Sequence, residues 1–228
     1  SAGDINGDGF SDVIVGAPYN DAGAADAGRA YVYLGGSSMN NTADLIYTGA
    51  AAVDVFGNSV SGAGDVNADG YEDIIIGAPF NSSGGINAGR AYLYFGGALP
   101  DNTVDVTFTG SAANDYLGYS VACAGDVNCD GFSDMIIGVP NSDIGGTNWG
   151  CANIYYGGTS FDNIADIIVK GTATNDDFSY SVAGAGDVNG DGISDFLVGS
   201  PFISGSLTGF ARLYTNSMNG KDISDLEI

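Results

Sequence analysis

A nine-residue string, Asp-x-Asn-x-Asp-Gly-x-x-Asp, returns four times at one spacing and limits this chain to few folds. It begins at Asp4 (DINGDGFSD), Asp65 (DVNADGYED), Asp126 (DVNCDGFSD) and Asp187 (DVNGDGISD), each start 61 residues after the last. A period of this kind marks a repeat architecture, in which one supersecondary unit is copied and stacked. The rest of the unit keeps the same register. Each loop runs into an apolar segment closing on Gly-x-Pro: VIVGAP to Pro18, IIIGAP to Pro79, MIIGVP to Pro140 and FLVGSP to Pro201. An alternating aromatic segment follows, RAYVYLGG from Arg29, RAYLYFGG from Arg90 and ANIYYGG from Ala152. The fourth copy is FARLY from Phe210, after a loop two residues shorter. Then come ADLIYTG from Ala43, VDVTFTG from Val104, ADIIVKG from Ala165 and the final SDLEI. VFGNSV, YLGYSV and FSYSVA lead back into the next acidic loop.

Each unit therefore holds four short segments bounded by Gly, Pro, Asn and Asp. Tyr31-Val32-Tyr33 alternates with period two, as a half-buried strand does. The run Asp73-Ile74-Ile75-Ile76 fits a strand buried on both faces. Capped stretches with a 3.6-residue period are absent, so almost no helix is expected. Apolar residues at 44%, with 38 glycines, 13 Tyr and 11 Phe, fit short strands and tight turns. A four-stranded unit of this length has the size of a propeller blade. The expected fold class is all-β: a β-propeller of four-stranded blades, forming a single segment over 1–228. Its repeat units start near 1, 62, 123 and 184. With strands named A (innermost) to D (outermost), the acidic loop joins A to B. The first blade then lacks its inner strand. Two copies closing an eight-bladed ring, a piece of a longer array, and a less favoured four-bladed ring remain open.

The loop has the chemistry of a metal site. Calcium takes six to eight oxygen ligands, and alternate positions of one tight turn can aim them inward. In the first loop the donors are Asp4, Asn6, Asp8, the backbone carbonyl of Phe10, and Asp12. The second supplies Asp65, Asn67, Asp69, Tyr71 and Asp73. The third supplies Asp126, Asn128, Asp130, Phe132 and Asp134, and the fourth Asp187, Asn189, Asp191, Ile193 and Asp195. Glycine at position 6 (Gly9, Gly70, Gly131, Gly192) permits the positive φ of such a turn. An EF-hand needs Glu at position 12 and flanking helices. Position 12 here is Val15, Ile76, Ile137 or Val198, inside an apolar strand, so that motif is rejected. Magnesium prefers to keep several waters over an all-protein cage, which favours about four Ca²⁺ per chain. Asp-Asn-Gly clusters are also ordinary turn residues. Four copies with three carboxylates each argue for ligands instead.

The formal charge is −23, from 28 acids against five bases. Such a surface repels nucleic acid and anionic membrane. It reads either as the solvated acidic surface of a protein from salty surroundings or as ligand charge. The predicted ligand positions of the loops hold twelve of the acids, which favours the second. There is no histidine, which excludes Ser-His-Asp and Cys-His machinery and His-ligated zinc within the chain. No apolar run is long enough to span a membrane. The chain shows neither an initiating Met nor a signal peptide, which reads as a mature or excised piece.

The combination of Phe-Gly-x-Ser, the acidic loop and Gly-Ala-Pro resembles the FG-GAP repeats of integrin α-subunit propellers and their bacterial relatives. The resemblance covers essentially the whole chain. It implies calcium in loops between strands A and B on one rim, in a mainly structural role. Departures occur at Leu117-Gly118, Phe178-Ser179, Gly138-Val139-Pro140 and Gly199-Ser200-Pro201, and read as conservative packing changes. A seven-bladed family ring needs nearly twice this length.

Cys123 and Cys129 replace small residues found at the same repeat positions (Gly62 and Gly184; Ala68 and Gly190). The paired change suggests a disulfide stapling the loop, with two buried free thiols as the other reading. Cys151 stands at the Arg29 and Arg90 position and is expected to be unpaired. Asp54, Asp115 and Asp176 read as turn caps in preference to cation-bridging groups. Trp149 is either a ligand anchor or rim packing. Asn40 and Asn81 lie in N-x-S/T sequons.

Function follows from the scaffold. An extracellular or cell-surface interaction module is expected, with a protein or carbohydrate ligand at the rim. The variable B–C loops, 20–28, 81–89, 141–150 and 203–209, are the expected contact sites. Self-association or neighbouring repeats would cover the open ends. The chain is read as no enzyme, because its carboxylates recur identically where a catalytic site is a single constellation. The alternative is an accessory or catalytic propeller of a secreted polysaccharide-active enzyme.

Overall fold

The structure is a computed structural model that describes residues 1–201, 209–215 and 224–227, the last as backbone. It contains strands and turns and, among the described residues, no helix. Blade 1 is a three-stranded antiparallel sheet of β1 (Val13–Ala17), β2 (Arg29–Tyr33) and β3 (Leu45–Thr48). Blade 2 adds an inner strand: β4 (Ser59–Gly64), β5 (Asp73–Ala78), β6 (Arg90–Tyr94) and β7 (Val106–Thr109). Blade 3 holds β8 (Val121–Gly125), β9 (Asp134–Val139), β10 (Cys151–Tyr155) and β11 (Ile167–Lys170). Blade 4 holds β12 (Ser181–Gly186), β13 (Asp195–Ser200), β14 (Phe210–Thr215) and β15 (Ser224–Glu227). The four sheets form an open arc of a β-propeller, and the missing inner strand of blade 1 is as the repeat phase predicts.

Inner strands β4, β8 and β12 lie side by side around the axis. Three apolar clusters fill the three junctions between blades. Alternation along a strand serves both of its neighbours. Ile74 and Ile76 pack toward blade 1, while Ile75 packs toward blade 3. This is why β5 and β9 are buried at every position. Strand β1 has a similar sequence but no blade in front of it, so Val13 and Val15 are 42% and 47% exposed.

The Phe-Gly and Gly-x-Pro glycines meet at the junctions. Gly57 N–H donates to Gly77 O at 2.9 Å, within blade 2. On its other side, a Cβ on Gly16 of blade 1 would lie 2.0 Å from Gly57 O. The same contact joins Gly77 to Gly118 at 2.0 Å. The motif thus marks where backbones of adjacent blades touch without room for a side chain. Ser179 replaces the glycine at the third junction and keeps φ at +73°. Its hydroxyl donates to Cys151 O at 2.5 Å and accepts from Val139 N–H at 2.9 Å. Ser200 likewise donates to Asp176 O. These departures are therefore hydrogen-bonded replacements as well as packing changes.

The disulfide expectation is not met. All three cysteines are free. Cys123 Sγ lies 3.3 Å from Gly125 N in its own strand, whereas Cys129 Sγ turns toward Gly192 O of the next blade at 3.9 Å. Cys129 sits at φ +62° on an exposed loop, which directs its side chain away from the strand. Cys151 is buried. Alkylation after unfolding without reductant should label three thiols; labelling of one alone would restore the bridge.

Candidate metal centre

Each acidic loop folds around its own carboxylates. In the first, Asp4 Oδ1 accepts from Asp8 N–H at 3.1 Å and Asp4 Oδ2 from Gly9 N–H at 2.8 Å. Asn6 Oδ1 also accepts from Asp8 N–H at 3.1 Å, and Asp8 Oδ1 from Phe10 N–H at 2.9 Å. Asp12 Oδ2 accepts from Ile5 N–H at 2.8 Å and Asp12 Oδ1 from Gly35 N–H at 2.6 Å. The pattern repeats at Asp65, Asn67, Asp69 and Asp73. It repeats again at Asp126, Asn128, Asp130 and Asp134. In the fourth loop Asp187, Asn189, Asp191 and Asp195 follow it. The position-7 residues whose carbonyls the sequence singles out, Phe10, Tyr71, Phe132 and Ile193, donate their N–H groups to the position-5 carboxylate.

Every loop thus gathers its five predicted residues in one turn. An oxygen that accepts one N–H keeps a lone pair, so the carboxylates retain donor capacity for a hard cation. Among the described residues no three His, Cys, Asp or Glu side chains converge into a ready-made metal cluster. The loops instead offer a mixed set of carboxylate, amide and backbone oxygens.

The ninth-position aspartates sit deepest. Asp12, Asp73, Asp134 and Asp195 are each 1% exposed or less. Burial first, and then the neighbouring loop carboxylates, push Asp73 and Asp134 up to about 7, against their two backbone N–H bonds. Asp12 is pushed up for the same reasons. Asp187 is exposed and lowered, chiefly by the Gly192 N–H bond. The folded, ion-free state therefore holds protons at Asp73 and Asp134 that the unfolded chain releases nearer pH 4. In chelator, stability should fall as pH rises from about 4 to about 7. A bound calcium ion would take the proton's place, so its apparent affinity should fall as pH drops below about 7. Melting curves at both pH values, with and without ion, check the crossover.

The loops are also bonded across the blades. Glu72 N–H donates to Asp4 O at 3.3 Å, Ser133 N–H to Asp65 O at 3.2 Å, and Ser194 N–H to Asp126 O at 3.0 Å. Gly97 and Gly158 N–H donate to Ile5 O and Val66 O at 2.8 and 2.7 Å. A loop that is ordered thereby orders its junction with the next blade.

Two features escaped the sequence reading. Position 4 shares the left-handed conformation with position 6: Gly7, Ala68, Cys129 and Gly190 have φ between +57° and +78°. Asp44, Asp105 and Asp166 recur at the 61-residue spacing, and each accepts a backbone N–H at 2.8 Å in its C–D loop. That spacing was the available signal.

A family model for the FG-GAP repeat matches residues 1–33, 56–94 and 178–208. The chain contains FG-GAP repeats. Integrin alpha-5 of Xenopus laevis is 34% identical over 148 residues, covering 60% of this chain and 14% of that relative. Human integrin alpha-6 is 33% identical over 136 residues, covering 59% and 12%. Bovine phosphatidylinositol-glycan-specific phospholipase D is 30% identical over 220 residues, covering 88% and 26%. The chain spans at most about a quarter of the length of these relatives. The FG-GAP matches pass over 117–155, where Leu117 and Val139 depart from the motif.

The remaining predicted residues resolve within this FG-GAP frame. Asp54, Asp115 and Asp176 are turn caps, accepting from Ala51, Ala112 and Ala173 N–H at 3.0–3.2 Å. Trp149 packs over Gly145 and Gly146 on the rim. Asn81 is 3% exposed and donates to Asp54 Oδ2 at 2.8 Å, so its sequon is closed to an enzyme in the folded chain, while Asn40 is exposed. The B–C loops 20–28, 81–89 and 141–150 share the rim opposite the acidic loops with the D–A connections; 203–208 lie outside the described residues.

Proposed function

We propose that this FG-GAP segment is a calcium-stabilised, non-catalytic interaction module that works outside the cell or at its surface. The observation carrying this reading is that four acidic loops share one internal geometry, and three of them are bonded in the same way to the following blade. Calcium held there would fix the arc and present the opposite rim, with its B–C loops, to a protein or carbohydrate ligand. Integrin alpha relatives support a protein ligand. Five bases against 28 acids argue against nucleic acid. Among the described residues no helix is long and apolar enough to cross a membrane. Immobilised chain should retain a protein or glycan ligand in calcium and release it in chelator; retention unchanged by chelator would contradict the calcium role.

The arc ends support self-association. Val13 and Val15 are exposed where Ile74 and Ile76 are at most 2% exposed, and Val188 is 52% exposed where Val66 is fully buried. A second copy docked end to end would cover both and close an eight-bladed ring. Light scattering in calcium should give twice the chain mass. A monomer would leave those ends to neighbouring repeats of a longer chain.

The phospholipase D match favours a second reading, an accessory propeller in a secreted hydrolase. Turnover of a polysaccharide or phospholipid that is lost on mutating one carboxylate outside the loops would move the chain to that class.

A further inference from the structure

The three blade junctions are unequally filled. Between blades 1 and 2, on the half facing the B–C rim, stand Phe56, Tyr92 and Arg90; Phe56 and Tyr92 are 5.5 Å apart between ring centroids. Between blades 3 and 4 the same place holds Phe178, Phe210 and Arg212. Arg212 Cζ lies 5.7 Å and 5.0 Å from the Phe178 and Phe210 centroids, and its Nη2 donates to Thr172 Oγ1 at 3.1 Å. Strand pairing makes the correspondence definite. Tyr92, Asn153 and Arg212 pair with Ile76, Ile137 and Val198; Arg90, Cys151 and Phe210 pair with Ala78, Val139 and Ser200. Each filled junction therefore carries two aromatic rings and one guanidinium.

At the corresponding three positions the junction between blades 2 and 3 carries neither. Leu117 replaces the phenylalanine, Asn153 the Tyr92 or Arg212 group, and Cys151 the Arg90 or Phe210 group. A cavity of about 170 Å³ opens there. Ser111 in its wall stands where Thr172 receives the Arg212 guanidinium. Asp115, 6% exposed, also lines it. Ser142 stands where Asn81 donates to Asp54, and its hydroxyl instead accepts from Ile144 N–H at 3.3 Å. The wall thus keeps a carboxylate, a hydroxyl, the Tyr155 ring and an apolar floor, without the guanidinium and the two further rings found at the other junctions. Ile168, in place of Thr107, lines the outer side; Lys170, in place of Thr109, is exposed and outside the wall, though it pairs with Cys151 and its charge reaches that thiol.

We propose that this cavity is a binding site for a small planar organic cation, an amidinium or guanidinium attached to an aromatic ring. The cation would face Asp115 and Ser111, and the ring would lie against Leu117 and Tyr155. A chain of net charge −23 adds a favourable long-range field for such a ligand.

Benzamidine titrated into the calcium-loaded chain tests this by calorimetry, with neutral benzamide as the isosteric control. Saturable one-to-one binding is expected, at least tenfold tighter than benzamide. Asp115→Asn, which keeps an oxygen to cap Ala112, should weaken benzamidine at least tenfold. Asn153→Tyr restores the blade-2 residue and should abolish binding; Leu117→Phe fills the site from the opposite wall and serves if the first variant does not fold. Absence of saturable binding, equal affinity for benzamide, or binding unchanged by a folded filling variant would overturn the proposal.

Discussion

Removing calcium from a loaded sample should lower the melting temperature by roughly 20 °C or more. An ion that binds only the folded chain contributes about 2.7 kcal/mol per site at a hundredfold excess over Kd. In a chain of this size one kcal/mol corresponds to ~2–4 °C. The four loops also share backbone bonds with the next loop, from Glu72 to Asp4, Ser133 to Asp65 and Ser194 to Asp126. Loss of one ion should therefore loosen two blades. Asp69→Ala removes one ligand from the second loop and should take away about a quarter of the calcium-dependent gain. A shift of no more than ~2 °C on chelation would mean that the loops hold their shape by hydrogen bonds alone.

Gly77→Ala should be strongly destabilising for a single added methyl. Its Cβ would lie 2.0 Å from Gly118 O and 3.0 Å from Gly118 C, and both atoms are backbone. Relief requires separating blades 2 and 3, whose cluster includes Ile75, Leu93, Met135 and Ile137, all fully buried. Overpacking ordinarily costs ~1–3 kcal/mol, and a backbone clash belongs at or above the top of that range. Gly199 supplies the control. It is the same glycine in blade 4, where no described blade follows, and its Cβ would meet only Ser181 atoms at 3.6 Å. Gly199→Ala should cost less than about 1 kcal/mol in chain stability. If a second copy docks on that face, the same substitution should prevent association. Urea melts of both variants and their masses in solution separate the two effects. Equal losses for Gly77→Ala and Gly199→Ala would refute the junction account.

The parts of the fold written once per 61 residues were readable. Strand positions follow from Gly-x-Pro endings and aromatic alternation, and the acidic loops from their fixed carboxylate spacing, because both are local rules repeated four times. What was not readable depends on contacts between units. Nothing local in Gly16 or Gly57 says that they touch each other. The β-branched run that is half exposed as VIV in β1 is buried as III in β5, and the neighbouring blade makes the difference. Cys123 and Cys129 looked paired because both changed in one unit, yet a left-handed turn at Cys129 sends its sulfur toward the next blade. The Asn81 sequon carries no signal of the burial that closes it. The unfilled junction was invisible for the same reason: Leu117, Asn153 and Cys151 are far apart in sequence and meet only when two blades pack.

The most direct test is a high-resolution structure of the chain crystallised in millimolar calcium. The account predicts one ion in each of the four loops, bound at ~2.3–2.6 Å by the side chains at positions 1, 3, 5 and 9 and the carbonyl at position 7. Loops without an ion, or with water alone among those oxygens, would contradict it.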